Sequence, residues 1–231
     1  MGLSIFDKIF KSFDVNTLKQ IDDSQKKIFD DVVAKAEQTI KDKIKLDTYF
    51  FSQCHRMSPI LQSSSILAEI KGIITKSIIS KVESRECARE IQGIISCSNL
   101  YTREMDNEIG ELLFNFYMQY DSAYSNALAE KTGLNYFMYL GGKIKDSRDF
   151  CVAHDAKVWS RDEAALWPMW TPEEAEFLED YTVKQKDQSK VPSYLSYPGY
   201  SPLIDRGGYN CRHHLGWISD DLAKKWRPDI K

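Results

Sequence analysis

The sequence lacks an excess of positive charge. Its 31 Lys and Arg against 34 Asp and Glu leave a formal charge of −3, with a pI near 5.9. A chain with that balance has no electrostatic reason to coat DNA or anionic lipid, so any nucleic-acid contact has to be local. Long apolar runs are missing too. The opening MGLSIFDKIFKSF interrupts its hydrophobics with Asp7, Lys8 and Lys11, which suits neither a signal-peptide core nor a spanning helix. Phe6 stands where a myristoylation signal needs Ser or Thr. The expectation is a soluble protein made and assembled in the cytoplasm. Cysteine is sparse and odd in number: Cys54, Cys87, Cys97, Cys151 and Cys211 are widely spread. This is not a disulfide framework, and a reducing compartment is the default.

What is present is unevenly placed. All five tryptophans lie after residue 150, as do six of seven prolines and three of four histidines. That asymmetry marks a boundary near Gly133, giving a helical region over 1–133 and a second unit over 134–231. In the first, Ile5, Phe6, Ile9, Phe10 and Phe13 recur at helical spacing. Asn16 is a candidate N-cap for a long helix with Leu18, Ile21, Ile28, Val32, Ala36, Ile40 and Ile44 on one stripe. Pro59 opens a second helix carrying Ile60, Leu67, Ile70, Ile74 and Ile78. A third spans about 84–96, and a fourth runs from about Asn99 to Lys131 with Gly133 as its C-terminal stop.

In the second unit, LNYFMYL, KVW and LGWI read as short strands. Ser160 and Glu163 have capping-box spacing, Thr171, Pro172 and Glu174 form a second helix start, and Ser219 caps a last helix that Pro228 ends. The polar stretch KQKDQSKVPSYLSYPGYSP reads as a long loop. The fold class is therefore α+β: a helical N-terminal region followed by a small mixed module of short strands and helices.

Two segments about 50 residues apart carry the chemistry: YLGGKIKDSRDFCVAHDAKVW and GGYNCRHHLGWI. Together they resemble the C-terminal module of bacteriophage minor head proteins, the head-morphogenesis family of the Mu F-like and SPP1-like kind. That module opens with an aromatic-Tyr-x-Gly segment, an acidic-x-Arg turn and Cys-x-x-x-Asp-Gly-Lys before an apolar residue. It closes with Asn-Cys-Arg followed by Cys or His. Here the first part is matched by Tyr139, Gly141, Asp146, Arg148, Cys151, Asp155, Lys157 and Val158. The second is matched by Gly207, Gly208, Asn210, Cys211, Arg212 and His213. Ala156 stands where the family usually has Gly, which weakens the case for a positive φ at that turn. The resemblance covers about the last 100 residues, and the front half matches only in being helical. It implies a virion protein acting in head assembly near the portal, whose partners are the portal, the major capsid or scaffold protein, and packaged DNA.

Taken without the family, the same residues suggest zinc. Cys151 with His154, and Cys211 with His213 or His214, are two pairs of ligand-type side chains, with Asp155 as either an orienting acceptor behind a ligand or a plain helix-end residue. A second reading has no metal: the cysteines are small buried residues, and Arg212 pairs with Asp146 or Asp155. A third is a metal-free nuclease, with His213 and His214 as base and acid and Arg212 or Lys157 on a phosphate. No nucleophile elbow, phosphate-binding glycine loop or carboxylate pair accompanies them.

Overall fold

The computed structural model describes residues 23–170 and 192–230. The amphipathic 5–13 segment, the Asn16 cap and the helix start at Thr171 lie outside the described residues.

The long amphipathic stripe forms α1 (Asp23–Leu46), with Val32, Ala36, Ile40 and Ile44 buried four residues apart on one face. Ile28 is an exception on that stripe, being 41% exposed. Two single turns follow, α2 (Tyr49–Ser52) and α3 (Ser58–Leu61), with Pro59 in the first turn of α3. The helix expected from Pro59 onward is broken there: Ser63 takes ψ 111°, and α4 starts afresh at Ser64–Ile79. Then come α5 (Ser84–Ile95) and α6 (Met105–Lys131). The last starts later than Asn99, because the Ser98 hydroxyl accepts the Leu100 N–H at 3.2 Å and holds a local turn instead.

At 27 residues, α6 is about 40 Å long. It packs against α1, α4 and α5, so its buried residues lie all round the helix instead of on one stripe. It stops at a Schellman turn. Gly133 adopts φ +72°, Leu134 N donates to Ala129 O at 2.8 Å, and Gly133 N donates to Glu130 O.

The chain then enters β1 (Tyr136–Leu140), the centre of an antiparallel sheet of order β2-β1-β3. α7 (Asp149–His154) leads to β2 (Val158–Ser160). The Ser160–Glu163 capping box opens α8 (Arg161–Ala165). After the turns α9 (Ser193–Ser196) and α10 (Pro202–Asp205), β3 (His214–Ile218) returns alongside β1, and α11 (Asp220–Trp226) ends before Pro228 with Ser219 as its cap.

Two apolar cores result. One lies among the helices. The other holds Phe137, Tyr139, Phe150, Trp159, Trp167 and Trp170 on one side of the sheet. The polar stretch after Lys184 departs from a plain loop where it is described: Leu195 is buried in the second core, and Tyr197, Ile204 and Tyr209 are buried in the helical core. Segment 197–209 thus belongs to the C-terminal half in sequence and to the N-terminal core in space. Tyr197 stacks on Tyr49 at 4.2 Å, which a polarity reading of the sequence could not weigh.

Candidate metal centre

The extended approach to β3 explains the tight Cys-x-His spacing. Residues 211 to 215 alternate buried, exposed, buried, exposed, buried, so Cys211 and His213 share one face while Arg212 and His214 face away. The β1–β3 register pairs Leu140 with His214. Gly141 therefore lies beside His213, and a Cβ on Gly141 would sit 2.6 Å from the His213 ring. Cys151 arrives from α7. Its position is set by Arg148, whose guanidinium donates to Gly207 O (3.0 Å) and Tyr209 O (2.5 Å) and lies over the Tyr194 ring. Arg148 is thereby the tie between the two motif segments.

These elements bring Cys151, Cys211 and His213 together, all buried, with their donor atoms within 4.8 Å of one another. The two sulfurs are 3.9 Å apart, and Cys211 Sγ is 3.8 Å from His213 Nδ1. A tetrahedral zinc ion with ordinary bond lengths has S–S edges of about 3.8 Å and S–N edges of about 3.6 Å. The observed spacings are those of a tetrahedron's edges. The Tyr139 hydroxyl lies 3.2 Å from Cys211 Sγ and 3.6 Å from Cys151 Sγ, and its ring stacks on His213. Gly207 closes one side: a Cβ there would be 2.7 Å from Cys151 Sγ and 3.1 Å from both Cys211 Sγ and Tyr139 OH. Gly208 (φ +80°) follows in a conformation that suits glycine, and its Cβ would strike Tyr194 O.

The far nitrogen of His213 faces Asp155, with Nε2 3.2 Å from Oδ1, off the line that a full hydrogen bond needs; the same oxygen accepts the Gly142 N–H at 3.1 Å. Asp155 thus takes the place behind the imidazole where histidine ligands commonly have a carboxylate. Ala156, next to it, adopts φ +60°. The turn keeps its positive φ although the glycine is missing.

The thiol pair is electrostatically asymmetric. Burial opposes ionisation of Cys211, but hydrogen bonds from Cys151, His213 and Tyr139, with the nearby Arg206 charge, outweigh it and hold that thiol well below its ordinary value. The bond to Cys211, reinforced by burial, pushes Cys151 upward.

His154 does not join the cluster. Three residues along a helix leave side chains about 60° apart in azimuth, and here that turns the imidazole into the aromatic core. It stacks on Phe150 (3.9 Å) and Trp159 (4.4 Å), with Nδ1 2.7 Å from Phe150 O. Burial lowers its pKa to about 3, so it stays neutral. Nor does the structure assemble the nuclease set: His213 is buried, while His214 is exposed on the opposite face of the strand. Among the described residues Arg212 pairs with neither Asp146 nor Asp155: Arg212 and Asp146 line the cleft and are exposed, and Asp155 faces His213. Lys157 serves through its carbonyl, which accepts the Tyr139 N–H at 3.0 Å.

Sequence reasoning missed the anchors behind the second motif. The backbone N–H of Asn210 (φ +60°) donates to Asn115 Oδ1 at 2.6 Å, and Asn210 Oδ1 accepts from Asn115 Nδ2 at 3.0 Å. Asp205, fully buried, accepts from Lys43, Gln119 and Ser201 N. Arg206 donates to Met118 O and Ser122 Oγ of α6. Charged residues directly before a Gly-Gly pair were the available signal. Their partners on α1 and α6 lie at least 84 positions away.

The cluster lines a cleft of about 860 Å³, which is also lined by Asp106, Asn107, Gly110, Glu111 and Phe114 of α6. Comparison with family models, curated proteins and solved structures returns no match to this chain. Among the described residues, no helix is long and apolar enough to cross a membrane.

Proposed function

We propose that the chain is a bacteriophage minor head protein acting in head assembly near the portal, and that its C-terminal module binds one zinc ion through Cys151, Cys211 and His213. The observation that supports both parts is the convergence of the two motif segments. Residues 60 positions apart in the chain lie at tetrahedral-edge spacing, walled by the motif glycines Gly141 and Gly207 and tied by the motif arginine Arg148. The family resemblance names the role, and the cluster gives its two segments a common physical purpose. Soft thiolates with an imidazole favour zinc over magnesium or calcium, and Asp155 suits the orienting position behind His213. In this reading the helical half docks on the portal, the capsid or the scaffold, and packaged DNA is a local contact at most.

Two measurements test the reading. Elemental analysis of freshly purified, unchelated protein should give one zinc per chain in the native sequence and none in Cys211→Ser, with a chelator lowering the melting temperature of the native protein alone by on the order of 10 °C. Co-expression with portal and capsid proteins should recover a complex. Metal-free native protein would remove the zinc assignment, and recovery of neither partner would remove the assembly role.

A further inference from the structure

Resting on the zinc reading, we infer that the metal has an open fourth position facing the cleft, where a small molecule with a nitrogen or sulfur donor atom binds. Zinc sites with four protein ligands are closed, whereas three ligands and access to a cavity define the open kind. Among the described residues the donor group stops at three, Cys151, Cys211 and His213. The nearest further candidates are committed elsewhere. Asp155 lies behind the imidazole on the Nε2 side, and His154 is stacked in the aromatic core. Tyr139 OH lies over both sulfurs at hydrogen-bonding distance, as a donor to thiolates would.

The direction of the opening follows from what covers the sulfurs. Gly207 leaves no room on its side, even for a methyl group. All three ligands line the cleft, whose volume of about 860 Å³ falls in the range of small-molecule sites. Its wall mixes Arg56, Arg148 and Arg212 with Asp106, Glu111 and Asp146. Charges of both signs disfavour a polyanion and tolerate a compact ligand whose binding is set by the metal. Gly110 of α6 also lines the cleft, is exposed, and a Cβ there meets nothing within 4 Å. A larger side chain at 110 would project into the space the ligand must use, while raising helix propensity.

The experiment uses full-length protein with cobalt(II) in place of zinc, titrated separately with imidazole and with 2-mercaptoethanol. The visible d–d bands should shift saturably with at least one donor, while the thiolate-to-cobalt charge-transfer band persists. Gly110→Phe should keep its cobalt and its charge-transfer band and bind the same donor about tenfold more weakly or worse. Tyr139→Phe should still respond. Bands that ignore both donors, loss of the charge-transfer band during titration, or unchanged affinity in Gly110→Phe would each overturn the open position. A Tyr139→Phe protein whose bands already differ as for a lost ligand would overturn it as well. Failure to take up cobalt at all would instead overturn the zinc reading beneath it.

Discussion

Cys151 Sγ and Cys211 Sγ lie 3.9 Å apart across 60 residues of chain, and a Cβ on Gly207 would fall 2.7 Å from the first and 3.1 Å from the second. The contact is possible only because position 207 has no side chain.

Gly207→Ala should therefore push the thiols apart. Its Cβ would meet two sulfurs and a buried phenol at 2.7–3.1 Å, with no flexible chain end among them to yield. A loss of about 2 kcal/mol is expected by chemical denaturation, with reduced zinc content. Gly72→Ala is the control. It lies inside α4 with open space at its Cβ, so it should stabilise by about 0.5–1 kcal/mol. Equal effects of the two substitutions would contradict the crowding argument.

Ala156 carries φ +60° at the turn between α7 and β2, a region that costs an L-residue roughly 1–2 kcal/mol. Ala156→Gly should raise stability by about 1 kcal/mol, after allowance for glycine's greater freedom in the unfolded chain. A denaturant midpoint that fails to rise would show that the turn relaxes in solution.

Asp205 holds three donors, Lys43, Gln119 and Ser201 N, with its side chain fully shielded. Asp205→Ala strips all of them at once and should cost about 3 kcal/mol or more. Because those partners join α1, α6 and the segment before Cys211 and His213, hydrogen exchange should quicken in residues 205–211 before the rest of the module. Uniform loss of protection across the module would argue against a local anchor.

Asp47, whose Oδ1 accepts the Phe50 N–H at 2.7 Å, has its pKa raised from 3.8 to about 6, chiefly by burial, against the Phe50 bond and the charges of Lys43 and Lys71. A raised folded-state value means that the native protein binds the extra proton between those two pH values. The contribution is fully present below pH 3.8 and is lost as pH rises through about 6, an effect on the order of 3 kcal/mol. Asp47→Asn keeps an acceptor for Phe50 and should flatten the pH 4–6 portion of the stability curve. Identical slopes in the two proteins would rule Asp47 out as its source.

Much of this was legible before any coordinates. The Ala36–Ile40–Ile44 stripe, the Gly133 stop, the Ser160–Glu163 box and the three strands follow from periodicity and capping, which act over a few residues. Cys151, Cys211 and His213 were identifiable by residue type, and burial alternation into β3 explains why position 213, not 214, faces inward. His154 was misplaced because a Cys-x-x-His spacing does not say which way a helix is turned about its axis; packing between Phe150 and Trp159 decides that. Tyr197 and Leu195 were hidden in a stretch whose average polarity reads as loop.

The local sequence determined helices, strands, caps and which residues have ligand-type side chains, because each depends on neighbours within a turn or two. Tertiary structure alone decided that Cys151, Cys211 and His213 meet, that Gly207 and Tyr139 enclose them, and that Asp205 and Arg206 fasten the second motif to α6. Those outcomes depend on partners that chain distance does not constrain, chosen by the shared burial of the sheet and the helices.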